Sequence, residues 1–241
     1  MVYTYRLEKK LCCVSGRLAG DMKDDGDNPN RLALYKKLNL NPELVYGLNQ
    51  IHSRKVLVVD SDNPPFIKTG AFRHSIEADG MITNDKNITL SVTVADCLPV
   101  FLIDTVSGAF GVAHSGWKGT GIAVDALNLM KTVYNVNARD VAVVLGPCIG
   151  SCCYKVDAER AAIFERDFGA MSVRKDNDND NFYLDLRKAN VKLLTEAGVQ
   201  KIEVCEDCTC CDERFGSFRR EGEGYIRMIA LIGQIPYQPI F

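Results

Sequence analysis

Apolar and polar positions along the chain outline a set of strands. Near-continuous apolar runs occur in LPVFLID (98–104), GAFGVAH (108–114) and VAVVLG (141–146). Such runs are expected for strands that are covered on both faces. Strand patterns also occur in KVLVVD (55–60), ITLSVTVAD (88–96), KIEVC (201–205) and GYIRMIALIG (224–233). The pattern predicts a β-sheet core.

Other segments have the longer period of a helix. In the segment 26–41, Asn28 can cap a helix that has Pro29 in its first position. Its predicted apolar stripe contains Leu32, Tyr35 and Leu38. In the segment 121–136, one helical face is predicted to carry Ile122, Ala126, Met130 and Val133.

Two further helices have both ends marked in the sequence. One begins after a capping Asp157 and ends at Gly169, and the other begins after Asp185 and ends at Gly198. RKDNDNDN (174–181) is predicted to be a solvated turn; it lacks the glycine and the bidentate glutamate of a calcium loop. We therefore expect an α+β fold, with a mixed β-sheet core and flanking helices in one domain over residues 1–241.

Composition narrows the classes of function. The formal net charge of −2 gives no electrostatic argument for binding nucleic acid or an anionic membrane. No apolar run approaches the roughly 20 residues of a spanning helix. Charged residues interrupt the first 16 positions, where a secretory signal would be apolar. We expect a cytoplasmic protein whose ten cysteines are reduced.

Candidate metal ligands lie at the ends of one predicted hairpin. With a turn centred between Thr105 and Val106, Cys97 would lie directly opposite His114. Cross-strand partners have Cβ atoms about 4.5–5.5 Å apart, which suits two ligands of one metal ion. An odd-length loop would break this register.

A third ligand would come from His52 or His74, the other two histidines of the chain. His52 lies at the entry to a predicted strand, whereas His74 lies in a predicted loop. Spacing favours His52, because a strand end holds a ligand more rigidly than a loop does. A Cys/His/His set leaves one tetrahedral position open, as in catalytic zinc sites. The alternative is a buried thiol beside a hydrogen-bonded histidine.

The glycine-rich segment HSGWKGTG (114–121) leads directly into a predicted helix. Free N–H groups at the helix start, together with Lys118, predict a seat for an anion or phosphate. The segment is not a P-loop, because that spacing is absent. Glycine-rich strand-to-helix turns are common, so this signal is weak by itself.

Taken together, the motifs resemble those of one family. QIHS (50–53), ADGMITN (78–84), ADCLPV (95–100), AHSGWKG (113–119), LGPCIG (145–150), CT (208–209) and SFRR (217–220) occur in the order seen in the laccase-domain family. This family is also labelled multicopper polyphenol oxidase-like and is associated with purine nucleoside phosphorylase activity. The resemblance extends from about Asn30 to Arg220.

The resemblance implies roles for particular residues. His52, Cys97 and His114 match the family's metal ligands and would form its catalytic centre, so the resemblance decides against His74. It also implies that Arg31 and Asn30, and less directly Lys118, contact phosphate or ribose. Lys118 stands where many family members have arginine, and Phe218 replaces the usual tyrosine or histidine. The segment GEGYIR (222–227) also lacks the usual Gly-Arg step, so the roles of Arg219, Arg220 and Arg227 stay open.

The implied reaction is phosphorolysis of adenosine, inosine, guanosine and methylthioadenosine, with hydrolytic deamination of adenosine as a second activity. The implied cofactor is zinc, with copper as a second possibility. Asp79 and Asp96 are candidates for protonating the departing base. The expected partners are purine nucleosides and phosphate, without nucleic acid or membrane; the sequence does not determine an oligomeric state.

Two other interpretations are compatible with the residues. Cys97 and His114 could form the nucleophile and base of a metal-free cysteine hydrolase. A copper-dependent polyphenol oxidase fits less well, because multicopper centres need more than three histidines. The segment CEDCTCC (205–211) suggests a second metal site, but with no histidine or CxxC partner elsewhere we expect ordinary reduced cysteines there.

Overall fold

The structure is a computed structural model, and it describes residues 2–7, 10–24, 28–60, 62, 66–69, 72–176 and 179–233. Among these residues, no helix has the length and apolar character needed to cross a membrane.

Sixteen strands are formed by the residues that the structure describes. They are β1 (Val2–Leu7), β2 (Lys10–Ser15), β3 (Val45–Tyr46), β4 (Val56–Val58), β5 (Phe66–Thr69), β6 (Phe72–Ser75), β7 (Gly80–Thr83), β8 (Thr89–Val94), β9 (Leu98–Asp104), β10 (Phe110–Ser115), β11 (Val141–Leu145), β12 (Lys155–Val156), β13 (Val173–Lys175), β14 (Phe182–Leu184), β15 (Lys201–Val204) and β16 (Met228–Gly233).

The same residues form five α-helices and five short 3₁₀ turns. The helices are α1 (Pro29–Lys37), α2 (Ile122–Tyr134), α3 (Ala158–Phe168), α4 (Leu186–Glu196) and α5 (Phe218–Glu221). The 3₁₀ turns are Arg17–Ala19, Pro42–Leu44, Ala138–Asp140, Ala170–Ser172 and Gly222–Gly224.

Two larger sheets organise the molecule. Within the described residues, one sheet has the order β1-β2-β16-β8-β3 and the other has the order β15-β11-β9-β10-β7-β4. The second sheet is mixed, because β9 and β10 pair antiparallel whereas β11 and β15 pair parallel. Strands β12, β14 and β13 form a smaller sheet, and β5 pairs with β6.

Three clusters of buried apolar side chains lie between the layers of the fold. The first lies between the two larger sheets, where apolar side chains from β2, β8 and β16 meet those from β7, β9 and β10. A second packs α2, α3 and α4 against the outer face of the six-stranded sheet. A third packs α1 against the outer face of the five-stranded sheet. The prediction of an α+β fold with a mixed sheet core and flanking helices is therefore confirmed.

The helix ends follow the sequence signals. Asn28 and Asp157 accept the capping hydrogen bonds of α1 and α3, and Asp185 accepts that of α4. Gly169 and Gly198 have φ values of +90° and +96°, which L-residues with a Cβ rarely adopt. All three predicted caps are confirmed.

The predicted apolar stripes are only partly right. In α1, Leu34 is buried with Tyr35 and Leu38, whereas Leu32 is 42% exposed. In α2, the predicted face is buried except for Val133, which lies in the last turn and is 45% exposed. Leu32 lies beside the buried face of α1, and Val133 lies at the C-terminal end of α2.

The predicted strands are all present, but several others were missed. Strands β1 and β2 form an antiparallel hairpin at the start of the chain, where charged residues obscure the alternation. Strand β7 is only four residues long and has no polar alternation. Of the predicted turn at 174–181, Arg174 and Lys175 lie in β13 instead, and residues 177–178 lie outside the described residues. Strands β13 and β14 pair antiparallel.

The predicted register of the β9–β10 hairpin is wrong by two residues. His114 pairs with Pro99 rather than with Cys97. The cause is a longer turn: the Asp104 carboxylate accepts from the Ser107 N–H at 2.7 Å, and Gly108 adopts a φ of +79°. A shift of two residues keeps every side chain on its original face. Cys97 and His114 therefore remain on the same side of the sheet as diagonal neighbours.

Candidate functional site

Cys97 lies at the end of the turn that joins β8 to β9. The preceding residue, Asp96, has a φ of +87°, so the chain reverses sharply there. The carbonyl of Asp96 accepts from the Ile149 N–H at 2.9 Å. Its carboxylate accepts from the Thr209 hydroxyl at 2.7 Å and from the Arg219 N–H at 2.7 Å. These contacts from two loops and from α5 fix the backbone that carries the thiol.

His114 lies on β10 and is 3% exposed. Its Nδ1 is 2.9 Å from Oδ1 of Asp79, which is fully buried. Because a carboxylate only accepts, Nδ1 donates and Nε2 is left as the nitrogen that can bind a metal. The backbone N–H of His114 also donates to the Asp79 carbonyl, at 2.7 Å.

His52 lies in the loop before β4 and has a φ of +60°. Three consecutive N–H groups of this loop donate to the Asp79 carboxylate, from Ile51 at 3.2 Å, His52 at 3.0 Å and Ser53 at 2.6 Å. The Ser53 hydroxyl donates to the same carboxylate at 2.8 Å. Asp79 thus orients both the loop of His52 and the ring of His114.

A second anchor fixes the start of this loop on the neighbouring sheet. The Gln50 amide donates to the Thr93 carbonyl at 2.8 Å and accepts from the Thr93 N–H at 2.6 Å. The glutamine of the QIHS motif therefore fastens the loop to β8, and the histidine two residues later reaches the cluster.

The side chains of His52, Cys97 and His114 form one cluster. Their ligand atoms all lie within 4.8 Å of one another, and the two imidazole rings meet edge to face with centroids 4.9 Å apart. Tetrahedral ligands at 2.0–2.3 Å from a zinc ion are about 3.3–3.8 Å apart. A shift of about one ångström would let all three bind a single ion. Two imidazoles and a thiolate also suit copper.

Electrostatics favour a charged pair within this cluster. Burial opposes ionisation of Cys97, but His114 and His52 lower the pKa of the thiol to about 6. Burial also opposes protonation of His114, but the Cys97 thiolate and Asp79 raise its pKa to about 9. The pKa of Asp79 is lowered to about 2, because hydrogen bonds from His114 and Ser53 outweigh the effect of burial. Asp79 is therefore a permanent acceptor near neutral pH.

The glycine-rich segment allows close packing around the cluster. A Cβ at Gly116 would lie 3.0 Å from Cys97 Sγ, and one at Gly119 would lie 2.9 Å from the Ser53 carbonyl. The glycines thus let the ligand-bearing loops approach β10. At the start of α2, a Cβ at Gly121 would meet the guanidinium of Arg54, which is paired with Asp125. The guanidinium of Arg54 thus lies at this helix end, and the predicted anion seat stays a prediction.

A cavity of about 510 Å³ opens above the cluster, and His52, Cys97 and His114 are part of its lining. This volume is within the usual range for small-molecule sites. Its walls contain four aromatic side chains, from Trp117, Tyr154, Phe218 and Tyr225. They also contain three guanidinium groups, from Arg160, Arg219 and Arg227.

The residues expected to contact phosphate or ribose do not line this cavity. Arg31 is 7% exposed; it donates to the Met22 carbonyl at 2.9 Å and pairs with Asp24 at 3.1 Å. Asn30 donates to the Asp21 carbonyl at 3.0 Å, and Lys118 is exposed beside Trp117. Their proposed contacts with substrate stay a prediction.

Three arginines of uncertain role now have distinct positions. Arg220 donates to the carbonyls of Thr209 and Cys210, so it holds the loop after β15. Arg219 and Arg227 line the cavity, and Arg227 is paired with Asp21 at 2.9 Å.

Sequence reasoning missed two features of this site. Asp79 was considered only as an acid, although its hydrogen bonds make it the residue that orients two ligands. Arg160 was read only as part of a helix, yet its guanidinium lies 4.6 Å from the Trp117 ring centroid at the cavity. Asp79 directly precedes β7 within the ADG motif, which was a usable signal, whereas nothing local distinguished Arg160. His74, predicted to be in a loop, lies on β6.

Comparison with known proteins agrees with the motifs. The chain is 34% identical over 215 residues to "Purine nucleoside phosphorylase LACC1" of Mus musculus, covering 86% of this chain and 46% of that protein. The chain thus spans about half the length of this mouse relative. It is 30% identical to "Purine nucleoside phosphorylase" of Aquifex aeolicus, covering 80% of this chain and 84% of that protein.

Solved structures agree as well. The crystal structure of YlmD from Geobacillus stearothermophilus superimposes with a TM-score of 0.83 at 28% identity, covering 94% of this chain and 92% of that one. The family described as "Multi-copper polyphenol oxidoreductase laccase" matches residues 15–234, which confirms the resemblance noted in the motifs. The chain belongs to this family.

Proposed function

We propose that this chain is a zinc-dependent purine nucleoside phosphorylase that also deaminates adenosine. The observation that carries the proposal is the cluster of His52, Cys97 and His114 at the base of a cavity with aromatic and cationic walls. The names of the mouse and Aquifex aeolicus relatives support the phosphorylase activity. The proposed substrates are adenosine, inosine, guanosine and methylthioadenosine.

The cavity walls suit a purine nucleoside. Phe218 and Tyr225 meet edge to face with ring centroids 5.1 Å apart, and Phe218 is 56% exposed. Exposed aromatic faces can stack on a purine ring, and the tyrosine hydroxyls can add polar contacts. The volume of about 510 Å³ is sufficient for a nucleoside and phosphate.

Phosphate would be held by the guanidinium groups of the cavity wall. The ion pair of Arg160 with Asp157 is long, at 3.9 Å, whereas that of Arg227 with Asp21 is 2.9 Å. Arg160 is thus less engaged by its own chain and better able to bind an anion. Asn30 and Arg227 both contact Asp21.

Phosphorolysis joins a phosphate oxygen to C1′ and breaks the bond between C1′ and the purine nitrogen. The bonding electron pair leaves with the base, which then takes up a proton. Arginine side chains can position the phosphate for this attack and offset its charge. Asp79 is a poor proton donor because its pKa is about 2. Asp96 lines the cavity, so it is the better placed of the two predicted acids.

Zinc, when held by His52, Cys97 and His114, supplies a Lewis acid that lowers the pKa of water to about 7 for attack on C6 of adenine. The chain's own part is to fix the ligands. Asp79 keeps the ring of His114 in one tautomer, and Gln50 fastens the loop of His52.

Product analysis tests this function. Zinc-loaded protein is incubated with adenosine, with and without phosphate, and the products are separated by liquid chromatography. We expect adenine and ribose-1-phosphate only when phosphate is present, and inosine under both conditions. Absence of turnover by protein with one ion at this cluster would contradict the substrate class. Formation of inosine without ribose-1-phosphate would support the deaminase activity and contradict the phosphorylase activity.

Variants of two arginines locate the phosphate contact. Arg160→Ala should raise the KM for phosphate about tenfold or more while leaving deamination largely intact, because one charge-assisted contact is worth about 1.5–3 kcal/mol. Arg31→Ala tests the contact implied by the motifs through the same KM ratio. If Arg31→Ala raises this KM and Arg160→Ala does not, the assignment to Arg160 is wrong.

A cysteine hydrolase is the second candidate, and the lowered pKa of Cys97 beside His114 favours it. Metal analysis separates the two functions, because a bound ion occupies the thiolate that would otherwise attack. The same analysis separates zinc from copper, and with it the polyphenol oxidase. A cytoplasmic location stays a prediction from the sequence.

A further inference from the structure

Four cysteines outside the cavity meet on two loops at one end of the six-stranded sheet. Cys152 and Cys153 follow β11, and Cys208 and Cys211 follow β15. Because β11 and β15 are parallel neighbours, both loops leave the same edge of the sheet. The pairing continues into the loops, where the Thr209 N–H donates to the Cys148 carbonyl at 3.1 Å.

The four sulfur atoms have the spacing of a metal site. All of them lie within 4.8 Å of one another. Cys211 Sγ is 3.6 Å from Cys152 Sγ and 3.3 Å from Cys153 Sγ. Four thiolates around a zinc ion at about 2.3 Å are about 3.8 Å apart. A disulfide would require about 2.05 Å between two of the sulfurs.

The surroundings of the cluster suit thiolates. The Gly150 N–H donates to Cys208 Sγ at 3.2 Å. A divalent cation with four thiolates has a net charge of −2, and positive charge nearby would offset it. Four guanidinium groups donate to carbonyls of the two cysteine loops and thereby supply that charge, from Arg174, Arg187, Arg219 and Arg220.

We propose that Cys152, Cys153, Cys208 and Cys211 form a second, closed site for Zn²⁺ that is separate from the cluster in the cavity. Binding replaces the four S–H protons with the ion and releases them to solvent. Four protein ligands leave no position for substrate, so the site is structural.

The four-cysteine site lies beside the contacts that hold Asp96 next to Cys97. The loop that carries Cys208 and Cys211 also carries Thr209, whose hydroxyl holds Asp96 beside Cys97. Arg219, whose N–H holds the other oxygen of Asp96, donates to the Cys153 carbonyl at 2.9 Å. An ion that joins the two cysteine loops would stabilise the contacts that fix the backbone of Cys97.

Counting metal ions in matched variants tests the proposal without any activity assay. Protein is purified under reducing conditions with zinc and analysed by inductively coupled plasma mass spectrometry. We expect two ions per chain in the unaltered protein and one in Cys208→Ser/Cys211→Ser. Cys205→Ser/Cys210→Ser is the control, because it removes two nearby thiols outside the cluster, and it should keep both ions. An unchanged count in Cys208→Ser/Cys211→Ser overturns the proposal.

A second measurement applies if the double variant fails to fold. Cd²⁺ is added to the Cys97→Ala variant, and cysteine alkylation is mapped by peptide mass spectrometry. We expect Cd²⁺ to protect Cys152, Cys153, Cys208 and Cys211 together, while Cys210 stays reactive. Equal alkylation of the four with and without Cd²⁺ overturns the proposal. Because neither experiment depends on turnover, their outcome is independent of the phosphorylase assignment.

Discussion

The two clusters proposed to bind metal differ in composition and in the way their side chains are held. The cavity cluster combines two imidazoles with one thiol, and a buried carboxylate orients it from behind. The four-cysteine cluster lies in surface loops, where Cys152 and Cys211 are exposed, and N–H and guanidinium groups surround it. Three ligands beside a cavity leave room for chemistry, whereas four ligands close the ion off.

The comparison teaches that ligand number is not the only indicator of a reactive site. The cavity cluster is built on residues in unusual backbone conformations, since His52 and Asp96 have φ values of +60° and +87°. Non-glycine residues in such regions cost of order 1–3 kcal/mol and persist only where surrounding contacts hold them. The dense hydrogen bonding around Asp79 and Asp96 supplies those contacts.

The largest expected effect separates the two clusters directly. Cys97→Ala should lower turnover more than about 100-fold and remove one ion per chain, because losing a ligand costs more than the 10–100-fold loss from an altered orienting partner. Turnover and metal content are measured on the same preparation. Cys13→Ala, which removes a buried thiol from the other sheet, is the control and should keep both. Full metal content in Cys97→Ala would show that Cys97 is not a ligand.

A smaller effect is expected from changing Asp79, which accepts hydrogen bonds from His52 and His114. Asp79→Asn should weaken metal binding by the cavity cluster about 10–100-fold, because the amide cannot accept all the hydrogen bonds that the carboxylate accepts. The dissociation constant is measured by competition with a chelator, and the four-cysteine cluster should keep its ion. Asp104→Asn provides a matched control, since Asp104 is 2% exposed and lies at the far end of β9. Equal metal affinity in both variants would remove the orienting role from Asp79.

The smallest expected effect concerns the hydrogen bond from Thr209, on the four-cysteine loop, to Asp96, next to Cys97. Thr209→Val removes the 2.7 Å hydrogen bond to Asp96 while preserving side-chain shape. We expect a loss of about 1–3 kcal/mol in the free energy of unfolding and a decrease in turnover of less than about tenfold. Chemical denaturation measures the free energy of unfolding, and steady-state kinetics measures turnover. Thr83→Val, which also alters a fully buried threonine, should destabilise without changing turnover. Loss of metal from Thr209→Val would contradict a purely positioning role.

Much of the fold followed from local signals in the sequence. The caps Asn28, Asp157 and Asp185 and the apolar strands needed no tertiary information to recognise. The β9–β10 register was missed because the Asp104 side chain and Gly108 lengthen the turn, which hydrophobic patterning does not encode. The short strands β3, β7 and β12 owe their pairing to neighbouring strands, so their own residues give little signal.

The sequence predicted the cavity cluster but not the four-cysteine cluster. His52, Cys97 and His114 stand in specific motifs, so the set was named before its geometry was known. The four-cysteine cluster was set aside because Cys208 and Cys211 had no obvious partner. That partner is the adjacent pair Cys152 and Cys153, brought near by the parallel pairing of β11 with β15. Such proximity depends on strand order, which spacing along the chain does not reveal.

The single carboxylate oxygen shared by the two histidines also affects how the site moves. Oδ1 of Asp79 accepts from the backbone of His52 at 3.0 Å and from the ring of His114 at 2.9 Å. A displacement of this oxygen would therefore disturb the backbone of His52 and the ring of His114 together. A change that shifts one contact reaches the other through a single atom.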